Sequence, residues 1–379
     1  MLEYQRDMYV AFLDLTAAFD NVDRNKVWKV LEERGIPYKL RKVAESVYRE
    51  VYGRVRINGR ISSKFNMEKG LKQGDSLSPL LFNLLMDKVT KECNNKTRNC
   101  KTKIGHWHLV PVNIQSLTFA DDIALIAETP DKLQQIVRSW EDKTRDMDMI
   151  VNPNKSKILH ITKNKENRIQ NICITLNGEQ LENVEQYKYL GTIFTSNGKI
   201  SEEIKQRIKQ ATNVYYSINR TIIGKQEVST KTKLQVYNSI YKPILLYGSE
   251  SWPMTSRIEQ QITAAEMRFL RKVANKTRRD LERNVKIRED LGTTSITTQI
   301  ESKQLKWYGH VKRMHKDRIP RKVWEARVEG KRSRGRPRAT WLQNIERAGK
   351  KRNKNLVEMN GLLTDRKKWK HFTEIDPTP

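Results

Sequence analysis

Aspartates interrupt the most apolar strands of this chain, and few folds tolerate that. The run Tyr9–Leu15 (YVAFLDL) reads as a buried strand with Asp14 near its end. The runs SLTF and IALIA are joined across Asp121-Asp122 and read as a hairpin. An ionised carboxylate in a dry strand is costly unless a cation or partner offsets it. Two adjacent aspartates add to the difficulty, because close like charges repel and raise a pKa unless a divalent cation neutralises them. Strand neighbours point to opposite faces, so a tight turn is what lets both carboxylates approach one place. Alone, Asp121-Asp122 reads equally well as an ordinary polar turn, and Asp14 equally well as a strand-end acid meeting a lysine. Together they suggest acids from two sequence-distant strands meeting over hard cations. Oxygen-only ligands favour Mg²⁺ or Mn²⁺ over zinc. Two such ions, roughly 3.5–4 Å apart, activate an attacking hydroxyl and stabilise the leaving oxygen of a phosphoryl transfer.

The charge points to a polyanionic partner. The 379 residues carry 73 Lys+Arg against 44 Asp+Glu, net +29, far too basic for an ordinary metabolic enzyme. Residues 1–200 hold 32 basic and 25 acidic side chains, net +7, and residues 201–379 hold 41 and 19, net +22. Chemistry is therefore expected in the first half and electrostatic grip in the second. Three cysteines (Cys93, Cys100, Cys173) make no disulfide framework, and no CxxC pairs with His106 and His108 to suggest zinc. No apolar run is long enough to span a bilayer, and the stretch after Met1, with Glu3, Arg6 and Asp7, is no signal peptide. The expectation is an intracellular protein, nuclear or cytoplasmic, with no membrane partner.

Strands and helices interleave up to Asn197-Gly198. Helices are predicted over Asn21–Arg34, Tyr38–Tyr52, Pro79 to about Cys93 (capped by Ser76-Leu-Ser-Pro79) and Pro130–Met149. Asn58-Gly59 and Asn177-Gly178 read as hairpin turns, and Tyr187–Phe194 as a last strand. Beyond that the pattern is helical. The fold class is α+β, an antiparallel sheet with packed helices followed by a helical region. The expected boundaries are 1–198, 199–275, a basic tryptophan-containing region 276–350 and a flexible tail 351–379.

Five segments in order resemble one family. FLDLTAAFD (Phe12–Asp20), GLKQGDSLSPLLFNLLMD (Gly70–Asp87), FADD (Phe119–Asp122), VNPNKSK (Val151–Lys157) and YLG (Tyr189–Gly191) are similar to the palm motifs of reverse transcriptases of retroelements lacking long terminal repeats. YKPILLYGSESW, LKWYGHVKRM and KRSRGRPRATW resemble the region downstream of the polymerase in such elements. The resemblance implies an RNA-directed DNA polymerase with a palm and a helical thumb. Its partners would be an RNA template, a DNA primer and dNTP, and its cofactor two Mg²⁺ (or Mn²⁺) ions. It implies Asp14 and Asp121 as principal metal ligands, Asp122 as the second acid of the turn, and the Leu15 carbonyl as a further ligand. Phe19 would be the steric gate against a ribose 2′-OH, with core packing as the rival reading. Gln73 and Gly74 would lie along the nascent pair. Lys155 would act near the leaving pyrophosphate, with Lys157 close enough to compete for that role. Tyr189, Leu190 and Gly191 would form a primer-gripping hairpin.

The resemblance begins late, with only a few residues before Asp14. The resemblance implies that the fingers, which clamp the triphosphate in this family, are expected to be missing apart from a helix remnant at Met1–Met8, and weak or no polymerase activity is expected of this chain. Lys331–Arg338 (KRSRGRPR) is dense in base and denied a helix by Gly335 and Pro337. Its Arg332, Arg334, Arg336 and Arg338 suit a phosphate backbone or a minor groove, and read equally as an import signal or a solvated linker. Trp307, Trp341 and Trp369 either stack bases or form a small helical core. The alternative function is a non-catalytic nucleic-acid-binding protein derived from a retroelement.

Overall fold

A computed structural model describes residues 6–104, 112–164, 172–326 and 339–375. The chain divides into two units, Met1–Gly198 with Ala326–Ser333, and Lys199–Glu325 with Arg334–Pro379.

The first unit is built on a five-stranded sheet. Its strands are β1 (Met8–Leu13), β2 (Ser116–Phe119), β3 (Asp122–Ala127), β4 (Lys157–Ile161) and β5 (Glu182–Asn183), in the order β5-β4-β1-β3-β2. All pairings are antiparallel except β4 with β5. Both faces are covered, which is why β1 reads as a continuous apolar run rather than an alternating one. Ala11, Leu13, Ile123, Leu125 and Ile158 belong to the main core. Val10, Phe12, Ala124, Leu159 and Ile161 form a smaller cluster with Tyr187 and Tyr189.

Helices α1 (Arg24–Glu33), α2 (Tyr38–Val47), α3 (Ser78–Lys96) and α4 (Pro130–Asp146) accompany the sheet. Phe82, Leu85 and Val89 of α3 and Leu133, Ile136 and Trp140 of α4 complete the main core. Thr129 caps α4, accepting from the Lys132 N–H, with Pro130 in the first turn. The expected side-chain cap on α3 does not form: its N-cap is Leu77, and no side chain caps it. Ser78 is drawn inward instead, donating to the Lys72 carbonyl at 2.6 Å and meeting the Tyr48 hydroxyl at 2.7 Å. It ties down the loop before α3 rather than the helix end. Tyr187–Phe194 is likewise not one strand. Gln186–Tyr189 and Thr192–Thr195 pair as a hairpin about Leu190-Gly191, at φ 47° and 79°. Asn58-Gly59 and Asn177-Gly178 turn in the same left-handed way, each between two paired short strands.

The second unit is helical among its described residues: α5 (Ser201–Ile218), α6 (Thr230–Val236), α7 (Lys242–Leu246), α8 (Ser256–Val273), α9 (Asn284–Asp290), α10 (Ile296–Arg313), α11 (Ile319–Glu325), α12 (Trp341–Lys350), α13 (Leu356–Leu362) and α14 (Arg366–Glu374). One core gathers Tyr237, Trp252 and Phe269 with Ile287, Ile296 and Ile300. A second gathers Leu305, Tyr308, Ile345, Met359, Trp369 and Phe372. Helix α10 enters both, so the first core runs past the boundary expected near 275. Residues 351–375 are not a tail: α13 and α14 bury Met359, Trp369 and Phe372. Trp341 and Trp369 pack in that core, in line with the core reading rather than base stacking. No helix among the described residues is long and apolar enough to cross a membrane.

Candidate active site

The acids meet at one end of the sheet. The β1–β3 ladder ends at Leu13 opposite Ile123, so the next step of the register sets Asp14 beside Asp122. Phe119 pairs with Asp122, leaving Ala120-Asp121 as a two-residue turn. Ala120 sits at φ 52°, where an L-residue is strained, and this sharp reversal puts two successive carboxylates at one place. Alternation places Asp14 on the face of Phe12 and Asp122 on the face of Ala124, the face carrying Tyr187 and Tyr189. Tyr187 stacks on Phe12 with ring centroids 4.1 Å apart. The Tyr189 hydroxyl lies 3.4 Å from the carbonyls of Leu117 and Asp122. The electrostatics register the crowding. Burial raises the Asp122 carboxyl, and the charges of Asp121 and Asp14 raise it further. Burial and the charge of Asp122 push Tyr189 up to about 12.

The segment 151–157 carries the lysine. The Asn152 N–H donates to the Asp14 carbonyl at 2.8 Å, and the Asp14 N–H donates to the Ser156 hydroxyl at 3.2 Å. The Asn152 side chain folds the turn by accepting from the N–H groups of Asn154 (3.0 Å) and Lys155 (3.3 Å). This sets the Lys155 ammonium 3.8 Å from the Asp14 carboxylate. Lys157 is turned away, bonded to Glu182 at 2.7 Å and the Asn154 carbonyl at 2.5 Å. Asn152 and Ser156 position this corner and went unassigned in the sequence, although Asn-Pro-Asn is itself a turn signal. Leu15 bridges to Val151 through the Thr16 N–H to Ile150 carbonyl and Asn152 N–H to Asp14 carbonyl bonds, which leaves its own carbonyl outside the bridge.

Phe19 is half-buried, its ring stacked on Phe82 at 4.3 Å. It also lines a cavity of about 580 Å³ with Met86, Thr118, Phe119 and Ala120. Both readings of Phe19 thus have a structural counterpart. The Gln73 amide donates to the Asp20 carboxylate at 3.3 Å. Gly74 stands exposed at φ +89° with nothing within 4 Å of where a Cβ would project. Gly70 was missed by sequence reasoning. It has φ +85°, and a Cβ there would lie 2.7 Å from the Asp20 carbonyl oxygen. Arg24 clamps the same loop, donating to the carbonyls of Gly70 (2.8 Å) and Lys69 (3.0 Å). Arg332, Arg334, Arg336 and Arg338, with His106 and His108, lie outside the described residues.

Among the described residues, no three His, Cys, Asp or Glu side chains are gathered closely enough to hold a metal by themselves. The donor chemistry nevertheless suits a hard cation: oxygen donors only, with one carboxyl raised by its two like-charged neighbours.

Strand order, turn and lysine describe a polymerase-type palm, and the comparisons identify it. Residues 2–194, half of the chain, match the family described as reverse transcriptase (RNA-dependent DNA polymerase), and the chain belongs to that family. Its relatives place it with elements lacking long terminal repeats. The Retrovirus-related Pol polyprotein from the type-1 retrotransposable element R2 of Nasonia vitripennis is 30% identical over 206 residues, 52% of this chain and 19% of that protein. The RNA-directed DNA polymerase from mobile element jockey of Drosophila funebris is 24% identical over 73% of this chain and 30% of that protein. An uncharacterized transposon-derived protein of Caenorhabditis elegans is 24% identical over 68% of this chain and 94% of its own length. The chain spans less than half the length of the R2 and jockey relatives it matches. The structure of apo telomerase from Candida tropicalis aligns with 85% of this chain and 54% of that chain, at TM-score 0.41 and 12% identity. The reverse transcriptase family acts on nucleic-acid template and primer and generally uses divalent metals.

Proposed function

We propose that the sheet unit adds deoxynucleotides to the 3′-hydroxyl of a DNA primer on an RNA template. The observation that carries this reading is the convergence of Asp14 and Asp122 in adjacent register, with Asp121 at the turn and Lys155 3.8 Å from Asp14. Asp14, Asp121 and Asp122, with the Leu15 carbonyl, would hold two Mg²⁺ or Mn²⁺ ions. When bound, these ions supply an activated primer hydroxyl and a stabilised pyrophosphate leaving group. Lys155 faces the acids from the turn that fixes Asp14, and serves the leaving phosphates as charge partner or proton donor. The Phe19 ring, braced on Phe82, limits room beside the incoming sugar. The open backbone at Gly74 lets nucleic acid approach closely. Tyr189, Leu190 and Gly191 present a tight hairpin to the primer strand. In the helical unit a groove of about 980 Å³ lined by Arg268, Arg271, Lys272, Lys276 and Arg278 suits a phosphate backbone.

Primer extension by the purified chain tests this reading, with an RNA template, dNTP and either Mg²⁺ or Mn²⁺. Weak extension at most is expected with the metal present, and Asp121→Ala should bring it to background while primer–template binding persists. Binding with no incorporation under either metal would favour the non-catalytic alternative.

A further inference from the structure

The C-terminal helices hold a cationic groove that nucleotide addition does not use. The end of α10 and helix α14 border a cavity of about 540 Å³ lined by Lys306, His310, Arg313, Arg366, Trp369 and Lys370. A neighbouring hollow of about 630 Å³ shares Arg313 and Arg366, so the two form one trough about this pair. One terminal nitrogen of Arg313 is buried with no hydrogen-bond partner among the described residues. Burial and the nearby charge of Arg366 both push the Arg313 guanidinium down from its usual range. The Arg366 side chain is exposed and makes no ion pair among the described residues.

Nearby carboxylates are already engaged. Glu374 meets the Lys306 ammonium at 3.3 Å, and Asp365 caps α14 by accepting from the N–H groups of Lys367 and Lys368. Two guanidiniums that border the same hollows repel one another when no anion lies between them and are favoured around one. The planar fork of donors on each matches the oxygens of a phosphate. Trp369 is almost fully buried, and a Cβ at Gly309 would collide with its indole nitrogen. Its ring is therefore a wall of the trough and not a stacking platform, which points to backbone contact without reading of bases.

We propose that Arg313 and Arg366 clamp a phosphate of a polynucleotide backbone, forming a binding site in the helical unit outside residues 2–194. The open trough and the +22 charge of residues 201–379 favour a strand over a free anion.

Fluorescence anisotropy of the full chain with a labelled single-stranded RNA, across a salt series, tests the site. Arg366→Gln and Arg313→Gln should each lower the slope of log affinity against log salt by about one. Lys367→Gln removes the same charge from the next residue of α14 and should leave the slope near the wild-type value. Melting temperature separates function from structure: Arg313→Gln should hold or raise it, because repulsion and an unmet donor are relieved. Should Arg313→Gln fail to fold, Arg366→Gln at its exposed position decides alone. Unchanged slopes, or an equal loss with Lys367→Gln, would overturn the site. So would polyglutamate competing as well as RNA in the wild type but not in Arg366→Gln, since the trough would then be a site for acidic chains. The binding is read without dNTP or divalent metal, so a failed polymerase reading leaves this result distinct.

Discussion

The two units treat their carboxylates in opposite ways. In the helical unit Glu203, Glu266 and Glu301 are buried, and each is met by arginine or lysine: Arg207 at 2.5 Å, Arg288 at 2.5 Å, and Lys351 at 2.6 Å with Arg352 at 3.3 Å. In the sheet unit Asp14, Asp121 and Asp122 stand at or near the surface, grouped with each other, and Lys155 at 3.8 Å is the nearby cation. A buried acid with its cation in place is a finished structural element. A cluster of acids short of cations is unfinished, and its natural completion is a ligand. Backbone strain divides the same way. Non-glycine residues other than Asn or Asp with positive φ include Ala17, Ala120 and Leu190 in the sheet unit, beside the acid end, against Leu281 in the helical one.

Removing an acid should therefore have opposite consequences in the two units. The largest effect is expected at Glu266, which accepts from Arg288, from the Ile296 N–H at 2.8 Å and from the Tyr237 hydroxyl at 3.4 Å. Burial pushes its carboxyl up against the pull of Arg288. Glu266→Ala leaves a half-buried guanidinium and a backbone donor unpaired, a loss of about 3–5 kcal/mol. Urea unfolding followed by tryptophan fluorescence measures it. A loss under about 1 kcal/mol would mean the pair is no more than a surface ion pair and would erase the contrast.

The second test probes strain beside the acids. Gly70 and Gly74 share a positive φ but differ in surroundings. Gly70→Ala meets the Asp20 backbone as well as a strained conformation and should cost about 2–3 kcal/mol. Gly74→Ala faces open space and should cost about 1 kcal/mol. Equal losses would show that conformation alone matters at both positions. Reduced primer–template affinity in Gly74→Ala, without a matching loss of stability, would sharpen its reading as a site of close approach.

The residues that were legible and those that were not differ in physical kind. Asp14 and Asp121-Asp122 were readable because a charge inside an apolar run has few structural uses. Asn-Gly turns were readable because left-handed backbone selects those residues. Leu190 breaks that rule, and its turn forms beside Tyr187 and Tyr189, whose packing on Phe12 no local pattern shows. Lys155 and Lys157 looked alike in sequence, and Asn152 and Glu182 separate them in space. In residues 351–375, read as a flexible tail, no local pattern marks the core positions. Their sparse Met359, Trp369 and Phe372 suffice only against α10 and α12, a tertiary fact. Gly70 looked like any loop glycine, and its role depends on Asp20, fifty residues earlier in the chain.

The smallest effect is the most direct test of the unfinished site. The Asp122 carboxyl is raised by burial and by the charges of Asp121 and Asp14. A carboxyl raised in the native state binds its proton more readily there than in the unfolded chain. Its contribution to stability is therefore present below the ordinary carboxylate range near 3.9 and is lost as pH rises through the raised value. Asp121→Asn removes one of the repelling charges. In metal-free buffer it should raise the melting temperature slightly at neutral pH and flatten the decline that sets in above the ordinary carboxylate range. Because the Asp122 carboxyl is only partly withdrawn from water and the residue still meets solvent, the effect should shrink in high salt. Mg²⁺ or Mn²⁺ should reverse the order, stabilising the wild type more than Asp121→Asn, since the cation binds the ionised cluster. If Asp121→Asn melts lower than wild type without metal, the acids are held by partners of their own. The sheet unit would then treat its carboxylates as the helical unit does, and the contrast between the two would fall.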